Sequence, residues 1–134
     1  MGESSLPPEI LQKASLRGNE YAWPLNDVPE AITVARNCGL ATLSGNFQFR
    51  IPEGTCDLYW LTVESAPRAE GEPWAEYVAR SAEEVLTQFR KLQASSDFTT
   101  EGNSFGILSV KQSNGVSLDE FLCLVLYFEK EAAS

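Results

Sequence analysis

The sequence predicts an α+β fold: a mainly antiparallel sheet of about four strands packed against helices, in the order α-α-β-β-α-β-β. Three observations carry that reading. Residues 73–93 keep apolar side chains at helical spacing. Residues 46–51 alternate polar and apolar and run into a Pro-Glu-Gly turn, as a strand entering a hairpin does. Residues 121–128 are a short, wholly apolar run, the pattern of a strand buried on both faces. With 134 residues the chain has the length of one domain, and residues 1–134 are read as one.

Residues 1–8 are polar, end in Pro7-Pro8 and are expected to fray. Ile10, Leu11, Ala14 and Leu16 suggest a first helix over 9–17, stopped by Gly18. Residues 19–25 read as a connector holding Tyr21, Trp23 and Pro24. A second helix over 28–38 follows, with Asp27 as N-cap, Glu30 completing a capping box and Pro29 in the first turn. Ile32, Ala35 and Cys38 form its apolar stripe, and Gly39 ends it.

Strand periodicity takes over at 40–51, and a second strand spans 55–64. A three-residue loop, Pro52-Glu53-Gly54, would set Ile51 opposite Thr55, Phe49 opposite Asp57 and Phe47 opposite Tyr59. One face then carries Phe47, Phe49, Ile51, Tyr59, Leu61 and Val63 toward the core. The other carries Asn46, Gln48, Arg50, Cys56, Leu58 and Trp60.

Residues 65–72 are an acidic loop, and Pro73 opens the clearest helix. Its stripe is Trp74, Val78, Ala82, Val85, Phe89 and Leu92, with Glu76 and Arg80 able to pair outside. Residues 94–104 read as a mobile loop, 105–111 as a third strand and Asn114-Gly115 as a turn. Ser117 and Glu120 form a helix-type capping box, but the apolar run after them favours a central strand.

Composition restricts the chemistry. The chain has no histidine, so it lacks the commonest general base, the commonest metal ligand and the usual partner of a nucleophilic Ser or Cys. Nineteen acidic residues against ten basic give a net charge of −9, which disfavours nucleic acid and anionic membranes and favours a basic protein partner. The three cysteines, Cys38, Cys56 and Cys123, form no C-x-x-C pair and sit among apolar residues, so they read as buried free thiols in a reducing cytoplasm. The N-terminus has no basic start or apolar core of a signal peptide, and no apolar run is long enough to span a bilayer. Phosphate-loop, dinucleotide, nucleophile-elbow and calcium-loop patterns are missing, and no carboxylate pair stands out for hydrolysis. No metal and no cofactor are therefore expected.

Two candidate surfaces remain. The first is the outer hairpin face, where Trp60 and Leu58 lie beside Asn46, Gln48 and Arg50, an aromatic-plus-arginine composition typical of interaction surfaces. The second is the acidic stretch with Glu70, Glu72 and Glu76, suited to a basic partner. Both compete with plainer readings, a helix-covered face and a solvated helix edge. Asp57, placed by this register on the apolar face, is the one candidate for a perturbed carboxylate.

The segments Glu20-Tyr-Ala-Trp-Pro-Leu and Tyr77-Val-Ala-Arg-Ser-Ala-Glu-Glu-Val-Leu, in a chain of this size and charge, resemble small acidic bacterial proteins of the toxin-immunity type. That resemblance implies a non-catalytic inhibitor of a basic toxin or effector, as a monomer or homodimer. A dimeric secretion chaperone and a carboxylate-using enzyme or small-molecule binder are the alternatives.

Overall fold

The computed structural model describes residues 2–132. The fold is α+β, with a five-stranded antiparallel sheet in the order β1-β2-β5-β3-β4. The strands are β1 (Ser15–Arg17), β2 (Glu20–Pro24), β3 (Ala41–Ile51), β4 (Gly54–Glu64) and β5 (Leu122–Glu129). The helices are α1 (Pro8–Leu11), α2 (Val28–Asn37), α3 (Trp74–Ser95), α4 (Phe98–Gly102) and α5 (Gly106–Ser113). All five pack on one face of the sheet. Ile10, Ala31, Ile32, Val85, Phe89 and Leu108 meet Trp23, Phe47, Phe49, Leu124, Leu126 and Phe128 in one apolar core. Phe47 lies at its centre, stacked 4.9 Å from Phe98 and 5.8 Å from Phe89.

The apolar run at 121–128 does form the central strand, between β2 and β3. Gly45 is needed beside it, because a Cβ there would stand 2.5 Å from the Val125 carbonyl oxygen. The long helix keeps its predicted stripe, with Val78, Ala82, Val85 and Phe89 buried.

Several expectations are corrected. The first helix stops at Leu11, and Ser15–Arg17 pairs with Glu20–Pro24 as a hairpin. Gly18 has φ +60°, so it forms the hairpin turn rather than a helix end; both need the same left-handed backbone. The end of the expected helix and the expected connector are therefore two strands, and with the expected strand at 105–111 helical the sheet has five strands in place of four. Residues 2–6, expected to fray, dock against β5: the Gly2 N–H donates to the Phe128 carbonyl, and Phe128 N–H donates to the buried Glu3 carboxylate. Met1 lies outside the described residues. Residues 98–102, read as loop, form α4, and residues 105–111, read as strand, belong to α5 and its N-cap Phe105. Asp27 sits at the start of α2 without a side-chain cap, and Glu30 pairs with Lys13 at 2.9 Å instead. Cys56 and Cys123 are buried, whereas Cys38 is exposed.

The register of the β3–β4 hairpin decides where the candidate residues go. Ile51 pairs with Gly54, so the loop is the two residues Pro52 and Glu53. Phe49 therefore faces Cys56, and Gln48 faces Asp57, one residue off the expected register. Such a slip moves side chains to the opposite face. Cys56 and Leu58 join the core, while Tyr59 projects outward at 76% exposure. Beyond Asp57 the ladder breaks: β3 advances from Gln48 to Asn46 while β4 advances from Asp57 to Thr62. In this bulge Leu58 and Leu61 turn inward, and Tyr59 and Trp60 turn outward.

Candidate functional site

The bulge and α5 create an apolar ridge. Among the described residues six large apolar side chains are exposed: Leu16, Tyr59, Trp60, Ile107, Val110 and Val116. All but Leu16 lie on the β4 bulge, on α5 or just after α5. The two elements are tied together. Trp60 stacks on Phe105 at 6.3 Å, its indole N–H donates to Glu101 of α4 at 2.5 Å, and Lys111 of α5 pairs with Glu53 in the hairpin loop at 3.0 Å. Leu108 is the buried anchor of α5, which leaves Ile107 and Val110 outside. A half-exposed tryptophan held by stacking and one carboxylate is a rigid, amphipathic contact surface. The bulge also interrupts the outer edge of β4, which works against simple strand addition there.

The opposite face of the sheet carries a polar network instead of helices. Asn46, Gln48, Arg50 and Asp57 stand there with Glu20, Ala22, Cys123, Val125 and Tyr127. Arg50 is 7% exposed. Its Nε donates to Gln48 Oε1 at 2.6 Å, Nη1 to the Ser15 carbonyl at 2.8 Å and Nη2 to the Glu20 carbonyl at 3.0 Å. The Gln48 and Asn46 amides donate to Asp57, and the Tyr127 hydroxyl donates to Glu20. Arg17 reaches the far hairpin, donating to the Ile51 and Gly54 carbonyls at 2.8 Å each. In a flat sheet β1 and β3 would lie about 14 Å apart, three strand spacings. The two arginines can bridge them only because the sheet curls toward this face.

Burial shifts the groups on this face. It lowers the Arg50 guanidinium below its usual value, with the Arg17 charge adding repulsion. It pushes the Cys123 thiol up to about 11, so the thiolate is disfavoured at neutral pH. It also raises the Tyr127 hydroxyl, helped by the bond to Glu20, which keeps the phenol protonated.

The sequence-predicted site residues thus divide among four places. Trp60 lies on the ridge. Leu58, expected beside it, is fully buried in the core. Asn46, Gln48 and Arg50 lie on the polar face, joined by Asp57, which is not on the apolar face as expected. Glu70, Glu72 and Glu76 lie near the start of α3. Glu72 is clamped by Arg80 at 2.8 Å, which also holds Glu84 at 2.9 Å, so the expected Glu76–Arg80 pair gives way to a three-residue cluster. Glu70 and Glu76 are exposed.

Sequence reasoning missed Tyr59, Ile107, Val110 and Arg17. A three-residue loop places Tyr59 on the core face, one residue off the observed register, and residues 105–111 have the pattern of a strand. The extra basic residue just before the Gly18 turn was the only sequence signal for Arg17. Among the described residues no three carboxylate or thiol side chains converge where a metal ion could sit, and no helix is long and apolar enough to cross a membrane. No family model, curated protein or solved structure gives a significant match to this chain.

Proposed function

We propose that this chain is a non-catalytic protein-binding module that receives a basic protein partner on the Tyr59–Trp60–α5 ridge, in the manner of an immunity-type inhibitor. The observation that carries the proposal is the concentration of exposed large apolar side chains on that ridge, within a molecule of net charge −9. Interfaces draw most of their energy from a few aromatic anchors surrounded by contacts that exclude water. Here Trp60 and Tyr59 are the anchors, and Ile107, Val110 and Val116 supply the surround. The acidic field of the molecule draws in a basic partner and suppresses acidic ones.

The test is quantitative capture from native lysate with the wild type, Trp60→Ala, Tyr59→Ala and a control, Glu76→Gln, away from the ridge. The proposal expects one stoichiometric basic protein, retained by Glu76→Gln and reduced about tenfold or more by Trp60→Ala. Capture unaffected by both ridge variants, or a partner with no basic surface, would overturn it. An inhibitor must also suppress the partner's activity in a reconstituted assay; a partner bound but left active would remove the immunity reading and keep the binding one.

A further inference from the structure

The second feature is a cleft of about 270 Å³ at the open end of the curled sheet, between β1, β2 and the start of β5. Three of the chain's ten basic residues, Lys13, Arg17 and Arg50, line it. Phe121 and Leu122 form an apolar wall, and one carboxylate, Glu120, stands at the rim. In a protein with nineteen acidic residues, charge alone would not gather cations there.

Neither guanidinium has a counterion within salt-bridge distance among the described residues: the ion pairs formed are Lys13–Glu30, Arg80–Glu72, Arg80–Glu84 and Lys111–Glu53. Arg17 and Arg50 meet neutral acceptors only, the carbonyls of Ile51, Gly54, Ser15 and Glu20, the Ser15 hydroxyl and the Gln48 amide oxygen. A guanidinium carries five N–H groups. Those bonds leave Arg17 with its Nε hydrogen and one hydrogen on each terminal nitrogen without a protein partner among the described residues. Two like charges are thus held close together, one of them buried, with donors to spare. Burial and the Arg17 charge bear against the charged form of Arg50, the Glu20 and Asp57 carboxylates offset part of that from beyond ion-pair distance, and a bound anion would add to their support.

We propose that this cleft binds a small organic carboxylate, its anionic group held by Arg17 and Arg50 and its apolar remainder set against Phe121 and Leu122. Guanidinium groups match the planar carboxylate by paired N–H bonds, and the apolar wall separates such a ligand from an inorganic anion. Lys13, already bonded to Glu30, adds long-range attraction at the rim. Glu120 disfavours a second negative charge on the ligand. The site is independent of the ridge and of the partner proposed for it.

The experiment is an NMR titration of the isotopically labelled full chain with phenylacetate, and separately with inorganic phosphate, following the arginine Nε–H signals. Phenylacetate is expected to give saturable shifts at Arg17 and Arg50 and at the Ser15 and Cys123 amides. Arg17→Gln should weaken binding about tenfold or more, as expected for the loss of a charge-assisted bond. Because Arg17 also braces the two hairpins, the exposed-rim variant Lys13→Gln is run beside it and should weaken binding less while leaving the spectrum native. Shifts that stay linear to the solubility limit, or that spread over Arg68, Arg80 and Arg90 alike, would overturn the site. Phosphate saturating as tightly as phenylacetate would overturn the organic-carboxylate assignment.

Discussion

Arg50 shows how one side chain can hold a curled sheet. It stems from β3, lies across the polar face and bonds to β1 and β2. Replacing it with methionine keeps the stem and strands Gln48 Oε1 and the Ser15 and Glu20 carbonyls. Leaving buried neutral acceptors without their donor typically costs about 1–3 kcal/mol. We therefore expect Arg50→Met to lower the urea midpoint by that amount of free energy with little change in m-value. The cysteines offer a second prediction at this scale. Cys38 is exposed, Cys56 and Cys123 are buried, and burial raises both buried thiols, Cys123 to about 11. Near pH 8 a thiol reagent should add once to the native chain, at Cys38, and to all three cysteines in denaturant, as counted by intact mass. An early adduct at Cys123 would show that the polar face opens. Neither prediction could be made from the residue types. Arg50 is legible as polar and outward beside Gln48, but its backbone partners lie 30 and 35 positions away and appear only when the sheet curls.

At the scale of elements, the β3–β4 hairpin and α5 carry the clearest lesson. Alternation placed both strands of the hairpin, and the turn at Pro52 and Glu53 was found. The loop length was wrong by one residue, and a period of two makes such an error reverse a face. Leu58 and Tyr59 exchanged fates for that reason, and the bulge restored Trp60 to the outside. In α5 one buried residue, Leu108, suffices to seat the helix against the core, leaving β-branched Ile107 and Val110 exposed in a pattern that resembles a strand. The junction between β4 and α3 makes a pH prediction. Arg80 and the Ala69 N–H hold the Glu72 carboxyl down to about 2, below the ordinary glutamate value. A depressed carboxyl stabilises the fold above its unfolded pKa, and the contribution is lost as pH falls through the folded one. The loop at 65–72 should therefore stay anchored at neutral pH and loosen on acidification from about 4 toward 2, seen as movement of the Ala69 amide signal. Arg80→Gln should loosen it already at neutral pH and remove the acid transition. An Ala69 amide indifferent to both changes would mean that the backbone of the loop holds itself.

For the whole molecule, charge is the dominant property, at −9 with a sequence pI near 4.4. Once a basic partner is in hand, its association rate should fall steeply as salt rises, while the dissociation rate, governed by the aromatic ridge, should change little. Trp60→Ala should do the reverse, raising the dissociation rate at every salt concentration. Stopped-flow mixing and surface-binding decay would separate the two, and a salt-sensitive dissociation rate would place the binding energy in ion pairs instead. The sequence by itself determined the class of fold, the long helix, the central apolar strand, the β3–β4 hairpin and the net charge. Those depend on local periodicity and composition, which are complete in the chain. Only the tertiary structure decided which face each hairpin residue occupies, that residues 15–24 form a hairpin, and that Lys13, Arg17 and Arg50 share a cleft. Register and curl arise from contacts between strands distant in sequence, and a linear pattern carries no record of which strand lies beside which.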